Sequence, residues 1–218
     1  MKILDIDRFF VDLGRRIDRP IQVVLTGAAA GILQGMERAT LDIDFEIRLK
    51  RVAGESDSAA RWEAVQRAIA DAARATGITP QYDEDIDKWS SIALPSKHSR
   101  LYRRFGKVEV RILDPGLWAI GKLTRYLSTD IQDLRIVLKS ANISSRATVR
   151  LWGTALGISP ASSSQITFRK QVEAFLDQYA GEIWGRSTDS TRLKRLFLDS
   201  AQKARRQKAG MRKQSSDI

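Results

Sequence analysis

The sequence predicts an α+β protein, with a mixed sheet and helices in its first half and helices alone in its second. Three observations predict this. Segments 41–49 and 106–113 alternate apolar and polar residues, and 21–25 is an apolar run bounded by Pro20 and Gly27. Period-two alternation marks a half-buried strand, and a short bounded apolar run marks a fully buried one. Beyond Asp114-Pro115 only helical spacing recurs. The expected division is therefore an α/β core over 1–113, a helical domain over 114–200, and a basic, flexible tail over 201–218.

In chain order, 5–18 begins with a helix whose one face carries Ile6, Phe9, Phe10, Leu13 and Ile17. The strand 21–25 turns at Thr26-Gly27 into a helix expected over 28–36, whose two glycines suggest close packing on the sheet. The turn "ERAT" then leads to the strand 41–49. Leu41, Ile43, Phe45, Ile47 and Leu49 share one of its faces, and Asp42, Asp44 and Glu46 the other. "SAARWEAVQRAIADAARATG" is an amphipathic helix with Trp62, Val65, Ile69, Ala72 and Ala73 inward and Gly77 as its stop. The acidic stretch 82–89 reads as a loop, or as the lead-in to a strand near "SSIALP". In 106–113, Val108, Val110 and Ile112 face one way, and Lys107, Glu109 and Arg111 the other. Helices follow over 115–127, 129–140, 144–156, 165–184 and 188–206, with Ser164 as a candidate N-cap and Thr129 as another.

Composition narrows the chemistry. The 218 residues are 43% hydrophobic and 29% charged, enough for a sizeable core. No run reaches the roughly 18 apolar residues of a membrane span, and acids stand where a signal peptide would have its apolar stretch. A soluble, cytoplasmic protein with no membrane partner is expected. Cysteine is absent and His98 is the one histidine. Thiol nucleophiles, paired-histidine catalysis and multi-histidine zinc sites are thereby excluded. Any metal would be held by carboxylates, which suits Mg²⁺ or Mn²⁺. The net charge of +11 favours a polyanionic partner. Nine of the basic residues fall in 192–213 against one acid, Asp199, which reads as a solvated tail or as an RNA-binding arm.

Asp42 and Asp44 are the sharpest chemical feature. On a strand they stand about 6.6 Å apart and face the same way. Two carboxylates so placed can bridge divalent ions, which sit roughly 3.5–4 Å apart in two-metal sites. An acid from a neighbouring strand, Glu109, would complete the cage, and the Gly27 turn would bring backbone N–H groups to phosphates at a helix start. The bland reading is that all three acids of 42–46 are merely the wet side of a strand. Three like charges on one face repel one another, which weighs against it.

The order strand, Gly27-Ala28 turn, helix, Asp42-Ile43-Asp44, then a later acid resembles the nucleotidyltransferase superfamily. More narrowly, "TGAAAGILQGMERATLDIDFEI" resembles the minimal, abortive-infection-type nucleotidyltransferases, many of them toxins of toxin–antitoxin pairs. Their Arg-x-Thr-x-Asp-x-Asp is matched by Arg38, Thr40, Asp42 and Asp44, and their later lysine and acidic segment by Lys122, Asp130 and Asp133. The resemblance covers roughly 21–140. It implies a nucleotidyltransferase-like mixed sheet, Mg²⁺ (or Mn²⁺) on Asp42, Asp44 and Glu109, and an NTP as substrate. Thr26, Gly27, Ala28, Arg38, Thr40, Asp130 and Asp133 would bind the nucleotide, with Lys122 neutralising phosphate. NMP would pass to an acceptor, most simply RNA such as tRNA, with a Ser, Thr or Tyr hydroxyl of a protein or a small molecule as the alternatives, and a cognate antitoxin would be a partner. Ala28 departs from the family's usual second Gly or Ser, and Asp130 or Asp133 could replace Glu109 as third acid. A catalytically silent member of the fold, binding RNA or a partner protein, is the rival reading. The aromatics of "RLYRRFGK", Tyr102 and Phe105, would be available to stack on bases, or would belong to a sheet surface.

Overall fold

The computed structural model describes residues 1–37, 39–49, 58–85 and 90–216. The chain is α+β and forms two compact units, one of Met1–Ile86 with His98–Asp114, the other of Asp87–Lys97 with Pro115–Ile218. Among the described residues no helix is long and apolar enough to cross a membrane.

The first unit contains α1 (Ile3–Arg16), β1 (Ile21–Leu25), α2 (Gly27–Ile32), β2 (Asp42–Leu49), α3 (Ser58–Thr76), β3 (Thr79–Asp83), β4 (Ser99–Phe105) and β5 (Val108–Leu113). Its five strands form a mixed sheet in the order β3-β2-β1-β5-β4. β1 pairs antiparallel with β2 and parallel with β5. β3 runs parallel to β2 at one edge, and β4 antiparallel to β5 at the other.

The alternating side chains divide the sheet into two chemically distinct faces. Val23 lies level with Ile47 and Val110, and Leu25 with Phe45 and Ile112, giving an apolar face. Phe9 and Phe10 of α1 pack edge-on to each other and against Phe45, with ring centroids 6.1 and 5.9 Å from it. Phe10 also stacks on Phe105, while Tyr82 stacks on Phe45. The other face carries Gln22, Arg48, Glu46, Glu109 and Arg111 in adjoining registers.

Several expected elements move. α2 ends at Ile32 rather than Met36; the chain then turns through Gly35 at φ 100°. β3 runs to Asp83, into the stretch expected as a loop; β4 puts the basic segment on the sheet, one of its two expected readings, and "SSIALP" is not a strand.

The second unit contains α4 (Pro115–Arg125), α5 (Ser128–Ser140), α6 (Ser145–Ile158), α7 (Ser163–Trp184) and α8 (Ser190–Ser216). Leu127 occupies the N-cap position of α5, displacing Thr129, and Ser162 caps α7 by accepting a hydrogen bond from Gln165 N. Trp152 is fully buried beside Phe175 and donates its indole N–H to the Gly116 carbonyl. α6 and α8 meet backbone to backbone. A Cβ on Gly153 would lie 2.3 Å from the Phe197 carbonyl oxygen, and one on Gly157 would lie 2.4 Å from that of Ala201. Glycine there permits an approach that any side chain would block. The register advances together on both helices, so α6 and α8 run parallel. α8 continues through 201–216, where the sequence suggests a flexible tail.

Candidate functional site

The first unit's candidate site is the end of the sheet where β1 turns into α2 beside β2. Thr26 donates its backbone N–H to the Asp44 carbonyl at 2.9 Å, extending the β1–β2 ladder by one residue. Gly27 then adopts φ +55°, a conformation that favours glycine. A Cβ on Gly27 would lie 1.7 Å from Asp44 Oδ2, so the turn lies directly against that carboxylate. Both the backbone angle and the space require glycine here. Ala28 is buried and α2 is only six residues long, so little helix dipole stands behind the turn.

Asp42 is oriented from two sides. The Thr40 hydroxyl hydrogen-bonds its Oδ1, and Gln81 Nε2 donates to its Oδ2 at 3.1 Å. Asp42 and Asp44 are both half-buried on the same face of β2. Glu46, the third acid of the series, is not on a wet surface. It is 1% exposed and paired with Arg48. Gln81 was not legible as a site residue, because β3 is a short edge strand with no apolar alternation.

Glu109 requires a correction. It lies level with Gln22, which registers with Arg48, whereas Thr26 is level with Asp44. That is a displacement of four residues along the sheet, about 13 Å. Its carboxylate takes hydrogen bonds from Gln22 at 2.9 Å and Arg111 at 3.2 Å, and pairs with Arg104 at 3.3 Å. Glu109 therefore neutralises sheet-surface arginines and does not join Asp42 and Asp44. Among the described residues no group of three or more His, Cys, Asp or Glu is placed to hold a metal. Arg38 lies outside the described residues.

Lys122, Asp130 and Asp133 do come together, within the second unit. Lys122 Nζ lies 3.0 Å from Asp130 Oδ1 and 2.8 Å from Asp133 Oδ2, and 5.4 Å from the centroid of the Trp118 ring. Exposures of 3%, 1% and 2% decide the role. This is a buried ion cluster joining α4 to α5, not a lysine facing a ligand. Arg125 adds a second cation to Asp130 at 2.8 Å. Burial raises the Asp130 carboxyl, but the hydrogen bonds from Arg125 and Lys122 outweigh it and hold the group below its ordinary range.

The aromatics of β4 are also occupied. Tyr102 donates its hydroxyl to Asp7 at 2.8 Å, Phe105 is buried, and Arg103 lies over both rings. They are not open stacking platforms. His98 is exposed, and its carbonyl accepts from Asp114 N.

Comparison with family models, with curated proteins and with solved structures finds no match.

Proposed function

We propose that the protein is a nucleotidyltransferase that moves NMP from an NTP to an acceptor RNA. The observation that carries this reading is the Thr26-Gly27 turn lying against the Asp44 carboxylate, with Asp42 on the same face. The donor set fits a hard divalent ion. Two half-buried carboxylates supply oxygen ligands, and Thr40 and Gln81 orient one of them, as outer-shell partners do in metal sites. Mg²⁺ held there would neutralise triphosphate charge and orient the α-phosphate. The chain's own part is positional. Asp42 and Asp44 would hold the ion, and the Gly27 turn keeps Asp44 in place. The acceptor's hydroxyl oxygen bonds to the α-phosphorus, the bond to the β-phosphate bridge breaks, pyrophosphate leaves, and the hydroxyl proton passes to solvent. Such catalysis rests on positioning and charge, to which two carboxylates and a rigid turn can both contribute.

One observation favours a second reading. Glu109 stands away from the pair, so among the described residues only two acids meet, as in a catalytically silent member of the fold that binds RNA or a partner protein. Transfer of α-³²P from each NTP to total RNA and to cell protein, with Mg²⁺, separates the two. Label in RNA that disappears in Asp42→Asn/Asp44→Asn supports the enzyme. Label in protein alone changes the acceptor, and no label from the folded wild type ends the enzymatic reading. A toxin role adds a cellular expectation: induced wild type arrests growth, and the double variant does not.

A further inference from the structure

We infer that the groove between the amino-terminal ends of α6 and α8 is the docking surface for the RNA backbone. It is a cavity of about 270 Å³ lined by Arg146 and Arg150 of α6 and by Arg192, Leu193, Arg195, Leu196 and Asp199 of α8. All four arginines are exposed. Among the described residues no ion pair or side-chain hydrogen bond engages their guanidinium groups. Elsewhere on this unit some cations are matched, Arg135 with Glu182, Arg169 with Glu173 and Lys194 with Asp177, while Lys139, Lys170 and Arg186 stand exposed and singly on the surface.

The parallel packing of α6 and α8 through Gly153 and Gly157 explains the gathering. It sets the first turns of both helices side by side, where the backbone already presents partial positive charge. Four guanidiniums against one carboxylate at two positive helix ends repel one another, and folding alone gives no reason to collect them. A bound polyanion would relieve that repulsion.

The occupant is extended rather than compact. Arg192, Arg195, Asp199, Lys203 and Arg206 recur at i, i+3, i+7, i+11 and i+14, one face of α8 about 21 Å long. Lys203 and Arg206 are exposed. Three other basic residues of α8 turn to its neighbours: Lys194 to Asp177, Arg205 to Gln165, and Lys208 to the Ile158 carbonyl at the end of α6. The helix thus sorts its charges into a face that ties it to its neighbours and a face that stays open. A linear phosphodiester chain matches the open face. Choosing RNA as that chain rests on the acceptor proposed above.

The test is the salt dependence of binding of a fluorescein-labelled single-stranded RNA to the full chain, by anisotropy, without NTP. Each phosphate contact contributes about 0.7 to the slope of log affinity against log salt. Replacing Arg146, Arg150, Arg192 and Arg195 by Gln should lower that slope by about 3. The α6 pair alone or the α8 pair alone should each remove half. The Arg→Lys counterpart should retain the slope, and Asp199→Asn should tighten binding. Circular dichroism and the melting midpoint confirm that each variant is folded. A folded quadruple Gln variant with wild-type slope overturns the proposal. Displacement of RNA by polyglutamate of equal charge, or tighter binding of duplex DNA, overturns the choice of RNA. Groove-dependent binding without any nucleotide transfer ends the enzymatic reading and leaves the groove. Transfer with groove-independent binding does the reverse.

Discussion

Replacing Lys122 by Met, similar in length but neutral, removes the central cation of a cluster in which each of the three charges is at most 3% exposed. Two buried carboxylates would then share one cation, Arg125, whose hydrogen bonds go to Asp130. Breaking a buried pair by deleting one partner costs about 3–5 kcal/mol. Arg125 remains, so the lower end applies. At roughly 3 °C per kcal/mol for a chain of this size, about 3 kcal/mol lowers the melting midpoint by about 9 °C. Asp130 sets the pH dependence. Its folded value is lowered, so its contribution is complete above the unfolded value of about 3.9 and is lost only as pH falls through the lower folded one. The wild type should therefore melt at a constant temperature from neutral pH down to near pH 5 as far as this group is concerned. Lys122→Met/Asp133→Leu, which removes charge of both signs, should recover at least half of the loss. Thermal melts at pH 7, 5.5 and 4.5 provide the assay. A Lys122→Met protein that melts within about 1 °C of wild type at all three would refute the buried cluster and free Lys122 for a phosphate.

Gly27→Ala should abolish nucleotide transfer, since its Cβ would displace the Asp44 carboxylate, while unfolding free energy falls by about 1–3 kcal/mol. Gly77→Ala is its control: φ +70° with open space around the site predicts a loss of about 1 kcal/mol by urea unfolding and unchanged transfer. Gly157→Ala should cost about 1–3 kcal/mol, because its Cβ meets the Ala201 carbonyl, and should lower RNA affinity by spreading α6 from α8. Burial raises the Tyr102 hydroxyl above its ordinary value, and its hydrogen bond to Asp7 raises it further. Its contribution is complete below about pH 10 and is lost as pH rises through the folded value. Melts at pH 9 and 11 should show a falling difference between wild type and Tyr102→Phe, starting from about 1 kcal/mol.

The three inner strands were legible because each buries alternate or successive side chains. β1 was read at its observed bounds, and β2 and β5 within two residues of theirs. The edge strands were not. "TPQYD" and "SRLYRRF" bury little, so their sequences carry no period-two signal, and only pairing with β2 and β5 defines them. The Asp42–Asp44 face and the glycine turn were legible because both are local. Glu109 was misjudged because alternation reports a face but not a level, and the level depends on the register of β1 with both neighbours. Lys122 was misjudged for a related reason. Its partners lie eight and eleven residues onward, and only the α4–α5 hairpin brings them to it. The groove arginines belong to two segments that no sequence spacing connects.

The strand order also dictates when the first unit can finish folding during synthesis. β1 is complete at Leu25, yet its second neighbour is formed from Val108 to Leu113. Until that late strand emerges, a growing chain presents one side of β1 with its N–H and C=O groups unsatisfied. The sheet can grow from β1 to β2 to β3 as the chain lengthens, but its middle closes last. A chain stalled near residue 97 would expose an apolar, unpaired strand and would be a natural client for chaperones.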